Sequence, residues 1–133
     1  MIPALIKGGF YHAGQVCVSV QKVFVHEDII DEVIASMIKE SVNLKVGNQL
    51  DKETQIGPLI NQQEVNRIKS WVDEAVQDGA KILLGGNKIS DSCFEPTIIL
   101  NANDNSKVST HEIFDAVICI CLYKDLEHCI KSS

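Results

Sequence analysis

Apolar residues recur along the chain at two different periods, and the changes of period outline the elements. Between Asp28 and about Leu44 the residues Ile30, Val33, Ile34, Met37 and Ile38, then Ser41 to Val42, return every three or four positions, while Asp31, Glu32, Lys39 and Glu40 fall elsewhere. That spacing predicts an amphipathic helix packed on a core, with the Asp28 carboxylate available to cap its first free N–H groups. A second helix is predicted from Asn61 to Asp78, with Val65, Ile68, Val72, Ala75 and Val76 on its inner stripe and Trp71 packing close to it. Asn61 followed by Glu64 has the spacing of a capping box, and Gly79 supplies the stop. Ile2 to Phe10 reads as the tail of a helix that Gly8 and Gly9 help to end, and Leu126 to Lys131 as a short helix.

Three further runs have strand character. Lys22-Val23-Phe24-Val25 is β-branched and aromatic, Ala80 to Leu84 ends on Gly85-Gly86, and Phe94-Glu95-Pro96-Thr97 leads into Ile98-Ile99-Leu100. Lys88 to Ser92 is a polar, hairpin-like connection between the last two. A fourth and the most apolar strand is expected from Ala116 to Tyr123, where Cys119 and Cys121 share one face. Leu44 to Ile60 is a glycine- and proline-punctuated loop, and Asn101 to Asn105 a polar linker. Strands that alternate with helices imply an α/β fold.

Length allows one domain with its own core in these 133 residues, and 45% hydrophobic with 23% charged residues is the balance of an ordinary globular chain. A formal charge of −6 excludes a nucleic-acid partner and disfavours an anionic membrane surface. No apolar run approaches the ~20 residues of a membrane span, and the first residues lack the features of a secretory signal. Five cysteines, an odd number, argue for reduced thiols in the cytoplasm rather than a disulfide framework. Neither CxxC, HExxH nor a zinc-spaced cluster occurs, so no metal site is expected. Met1 followed at once by Pro3 looks like a cut edge, and the natural chain is expected to begin earlier.

The stretch with chemical promise is Gly8-Gly9-Phe10-Tyr11-His12-Ala13-Gly14-Gln15-Val16-Cys17-Val18-Ser19-Val20, in which a turn-forming glycine leads into one thiol between valines. On general grounds such a cysteine is a small buried hydrophobe. However, Phe10 to Cys17, followed by Gln21-Lys22-Val23-Phe24-Val25, resembles the nucleophile segment of the aldehyde dehydrogenase superfamily, where Gly-Gln-x-Cys carries the catalytic thiol. The resemblance continues through Val46-Gly47, Ile56-Gly57-Pro58-Leu59 and Phe94-x-Pro96-Thr97 to Glu112-x-Phe114, in the family's order and over nearly the whole chain.

That resemblance implies part of a catalytic domain over residues 1–133, with aldehyde as substrate and NAD or NADP as cofactor. It gives Cys17 the nucleophile position and its backbone N–H a share in the oxyanion site. Glu112 and Phe114 take the position that holds the nicotinamide ribose and ring, and Val16 and Val18 the apolar rim of a substrate pocket. Read alone, Glu112 would be a solvated or helix-end carboxylate and Phe114 a core aromatic. A GxGxxG fingerprint between strand and helix does not occur, so the cofactor-binding domain is absent from these residues.

Two departures from the family pattern bear on function. Asp115-Ala116 stands where Glu-x-Phe is normally followed by Gly-Pro, and the family's second glutamate, its general base, has no counterpart. One hypothesis is therefore a fragment of an aldehyde dehydrogenase that carries the nucleophile, lacks turnover alone and forms a homo-oligomer through surfaces left uncovered. The alternative is a free-standing, non-catalytic interaction domain of the same fold.

Overall fold

In the computed structural model, which describes residues 1–132, one four-stranded sheet organises the chain. The elements run α1 (Ile2–Phe10), β1 (Lys22–His26), α2 (Ile30–Ser41), α3 (Gln62–Gln77), β2 (Lys81–Leu84), β3 (Thr97–Leu100), α4 (Lys107–Thr110), β4 (Val117–Tyr123) and α5 (Leu126–Ser132). Strand order is β1-β4-β3-β2, with β4 parallel to both neighbours and β2 antiparallel at the edge. The α/β fold expected from the sequence is thus observed.

β4 is central because it can be buried on both faces, which is the setting of an uninterrupted apolar strand. Val117, Ile118, Cys119 and Ile120 are all essentially inaccessible to solvent. Ile118 meets α1, where a Cβ on Gly9 would stand 2.4 Å from its Cδ1, and the Cys119 thiol faces the Val108 carbonyl of α4 on the opposite face. Helices therefore cover the sheet on both sides, with α1 lying along α2 and α3 lying along α4.

Several local expectations are corrected. α1 runs through Gly8 and Gly9 to Phe10, and Gly9 serves close approach to Ile118 rather than termination. α2 begins at Ile30 after a short 3₁₀ turn over Glu27–Ile29 and ends at Ser41, three residues short of Leu44. Asp28 does not cap it: its own N–H is taken by the His26 imidazole at 3.3 Å. Val42 and Val76, assigned to inner stripes, are exposed at the overhanging helix ends. The Asn61 cap is as expected, its side-chain oxygen accepting from the Glu64 N–H at 3.0 Å.

Candidate functional site

The segment before Cys17 is wound tightly. His12, Ala13 and Gly14 follow one another in the left-handed region with φ of 48°, 56° and 71°. That conformation costs a non-glycine residue ~1–2 kcal/mol, so two such residues in a row need tertiary support. Ala13 is buried and the Gln15 N–H closes the turn onto the His12 carbonyl at 3.1 Å. Gly14 presses on the next layer, since a Cβ there would lie 2.0 Å from the Asp115 carbonyl oxygen. A second turn, Ser19 N–H to Val16 carbonyl at 3.1 Å, then carries Cys17 on its outside.

Cys17 is exposed, not a packed core thiol. Its own N–H has no hydrogen-bond acceptor among the described residues and stays available to a ligand oxygen. The thiol opens on a small cleft of about 30 Å³, lined by Val16, Cys17 and Gln21 from this segment and by Glu112, Phe114 and Asp115 from the loop before β4. Residues 95 positions apart meet here because β1 and β4 are parallel neighbours, so the segments leading into them reach the same end of the sheet. Val18 is not part of this lining and is 80% exposed.

Across the cleft, Glu112 is exposed and Phe114 is 40% exposed with φ of 50°, another strained non-glycine residue. Among the described residues, the non-glycine residues with positive φ are His12, Ala13, Phe114 and Asn101, and of these Phe114 lines the cleft while His12 and Ala13 form the turn that leads to Cys17. Arg67 of α3 supports the loop from behind. Its Nη2 donates to the Ile113 carbonyl at 2.6 Å, its Nε to Glu64 at 2.8 Å, and its guanidinium stacks 4.4 Å from the Trp71 ring centre. Trp71 in turn meets the His111 ring at 5.5 Å, which bears out its expected packing role.

Asp115 is the electrostatic oddity of the site. One carboxylate oxygen accepts from the Ala116 N–H at 2.6 Å, while the other is buried without a partner among the described residues. Burial pushes this carboxyl up to about 7, against the opposing pull of the Ala116 N–H and the Arg67 charge. On the far face of β4, burial drives the Cys119 thiol up to about 12 and raises Cys121 as well, which keeps both from acting as thiolates. No group of residues suited to a metal ion is found among the described residues. Nor is any helix there long and apolar enough to cross a membrane.

The aldehyde dehydrogenase family model matches residues 1–133. The chain belongs to the aldehyde dehydrogenase family. Among relatives of this aldehyde dehydrogenase segment, a 3-sulfolactaldehyde dehydrogenase of Priestia aryabhattai is 40% identical over 122 residues, covering 92% of this chain and 25% of that protein. Aldehyde dehydrogenase 21 of Physcomitrella patens, solved with the reaction product succinate, superposes with a TM-score of 0.93 at 37% identity. That match covers 98% of this chain and 27% of the other. A glyceraldehyde-3-phosphate dehydrogenase of Methanocaldococcus jannaschii, solved with NADP, gives 0.92 at 37% identity over 98% of this chain and 28% of the other. The chain therefore spans about a quarter of the length of the relatives it matches.

Three residues of the site escaped the sequence reading as functional candidates. In the sequence Gln21 has no role beyond its place in the resembling stretch and Arg67 none at all, and their partners include backbone atoms 90 and 46 positions away. Asp115 was visible as a departure from Glu-x-Phe-Gly-Pro, but not as a buried acid.

Proposed function

We propose that this chain supplies the nucleophile-bearing part of an NAD(P)-dependent aldehyde dehydrogenase that oxidises an aldehyde to a carboxylic acid. The observation that carries the reading is the exposed Cys17 thiol in one cleft with Glu112 and Phe114. In this reading the Cys17 thiolate attacks the aldehyde carbon, a C–S bond forms, and the carbonyl electron pair moves onto oxygen. The unengaged Cys17 N–H faces that oxyanion, an arrangement in which a fixed donor lowers the barrier. NAD or NADP, when bound, accepts the hydride that leaves the thiohemiacetal carbon. Cys17 then carries a thioester, and water releases the acid and returns the thiol.

The residues present fit the nicotinamide end of that cofactor. An exposed carboxylate at Glu112 can accept from ribose hydroxyls, and the exposed Phe114 ring offers an apolar surface to a flat heterocycle. Val16 is the valine that forms an apolar rim for the substrate, since Val18 stands clear of the cleft. The remaining groups of the reaction, a general base above all, come from chain outside these 133 residues, and the segment alone does not turn over. Reduced thiols in the cytoplasm and assembly as a homo-oligomer complete the reading.

The alternative, a non-catalytic interaction domain, draws on one observation, the buried Asp115 carboxyl where the family has glycine. Acylation decides between them. Treatment with p-nitrophenyl acetate and peptide mass spectrometry should find the acyl group on Cys17 in preference to Cys93, Cys119, Cys121 and Cys129. Uniform or absent labelling sinks the enzymatic reading, because acylation needs a reactive thiolate but no cofactor.

A further inference from the structure

Two glutamines flank Cys17, and each grips a distant loop in the same way. Gln15 Nε2 donates to the Pro58 carbonyl at 3.2 Å while its Oε1 accepts from the Ile60 N–H at 3.2 Å. Gln21 Nε2 donates to the His111 carbonyl at 2.6 Å and to the Val108 carbonyl at 3.2 Å, while its Oε1 accepts from the Ile113 N–H at 3.1 Å. In both cases one carboxamide takes the C=O of a residue and the N–H two positions on, bracketing the residue between as a neighbouring strand would. The residue bracketed by Gln21 is Glu112.

We propose that Gln21 is a positioning residue that fixes Glu112 relative to Cys17. It belongs to the chain segment that carries the thiol, four residues further on, and its side chain closes on both peptide groups flanking the glutamate. Arg67 holds the Ile113 carbonyl from the opposite side, so the Ile113 peptide is gripped at its N–H by Gln21 and at its C=O by Arg67. The Glu112 side chain has no hydrogen-bond or ion-pair partner among the described residues, and Glu112 lines the same cleft as Cys17. Because Glu112 and Cys17 line one cleft, Gln21, by holding the peptide groups on both sides of Glu112, governs where that residue stands relative to Cys17.

The importance of this placement for catalysis rests on the reading of Cys17 and Glu112 given above, whereas the placement itself can be measured apart from it. Gln21→Met keeps the side-chain volume and removes every hydrogen bond. Hydrogen exchange of the Ile113 amide in the full chain should rise by about tenfold, the worth of one hydrogen bond, with the Ile118 and Ile120 amides of β4 unchanged. Alkylation of Cys17 by iodoacetamide at a fixed pH, which needs only an exposed thiol, should change by at least about threefold as the loop across the cleft loosens, and should barely change when Gln21→Met is made in a Glu112→Gln background. Gln21→Asn, which keeps the carboxamide and adds no charge but is one methylene too short to bridge His111 and Ile113, is the second variant and should also speed Ile113 exchange. Equal changes in both backgrounds, or unaltered Ile113 exchange in Gln21→Met, would overturn the proposal. Should Cys17 resist acylation while the coupling persists, the enzymatic reading falls and the positioning role stands.

Discussion

A methyl group on the α-carbon of Gly14 would stand 2.0 Å from the carbonyl oxygen of Asp115. The Cys17 segment and the Glu112–Asp115 loop therefore touch backbone to backbone beside the cleft that Cys17 and Phe114 line. Gly14→Ala combines this clash with a φ of 71°, and should cost at least about 2 kcal/mol in urea unfolding and lower Cys17 acylation. Gly57→Ala is the matched control. Its nearest neighbour would be Gln49 Cβ at an ordinary 3.9 Å, and stability should change by less than about 1 kcal/mol.

Asp115 ties stability to pH. Its folded-state value of about 7 lies above the ordinary 3.8, so between these two values the folded protein holds a proton that the unfolded chain has lost. Stability should consequently be highest at the acid end of that window, fall as pH rises through it, and level off above about 7. Asp115→Asn keeps the acceptor for the Ala116 N–H and should abolish this slope. Arg67→Met removes the charge that opposes the shift and should move the levelling point to higher pH. Urea titrations from pH 4.5 to 8 would read both, and a native slope of opposite sign would refute the assignment.

Thiol accessibility should separate the five cysteines. Cys17 is exposed, whereas Cys119 is inaccessible and its thiol is held near 12. An alkylating reagent at pH 8 should modify Cys17 first and reach Cys119 only on unfolding, as followed by mass spectrometry. Cys17→Ser should alter stability by less than about 0.5 kcal/mol, as befits an exposed side chain, and eliminate acylation.

Uncovered apolar side chains should drive self-association. Leu50, Ile60 and Val18 are 85%, 81% and 80% exposed, respectively. Sedimentation should show a concentration-dependent species larger than 14.7 kDa, and replacing Leu50 and Ile60 by lysine should shift it toward monomer. A monomer at all concentrations would count against the homo-oligomer.

The sequence was informative where structure is local or periodic. Asn61 could be recognised as a cap because its partner Glu64 N–H lies within the same turn, and β4 as a buried strand because every residue from Val117 to Ile120 is apolar. It was uninformative where a residue's role depends on a distant partner. Gly9 looked like a helix stop because the approach of Ile118 cannot be seen from residues 8 to 10. Asp28 looked like a cap because acids often are, yet His26 took its N–H. Cys17, Glu112 and Phe114 stood out through motif resemblance, whereas Gln21 fell within the resembling stretch with no role attached, because its partners are up to 92 positions away.

The position of β4 also has a consequence for how the molecule comes into being. β4 is the last of the four strands to leave the ribosome, yet it is the one on which both β1 and β3 must close. Until it docks, β1 has no neighbour and the Glu112 loop no reason to face Cys17. Joining Lys22 to Cys119 closes a long stretch of chain, the kind of non-local step that slows folding and leaves strand edges open to other molecules meanwhile. Cys17 is thus made well before the strand that completes its cleft, and it stands outside any such cleft until β4 docks.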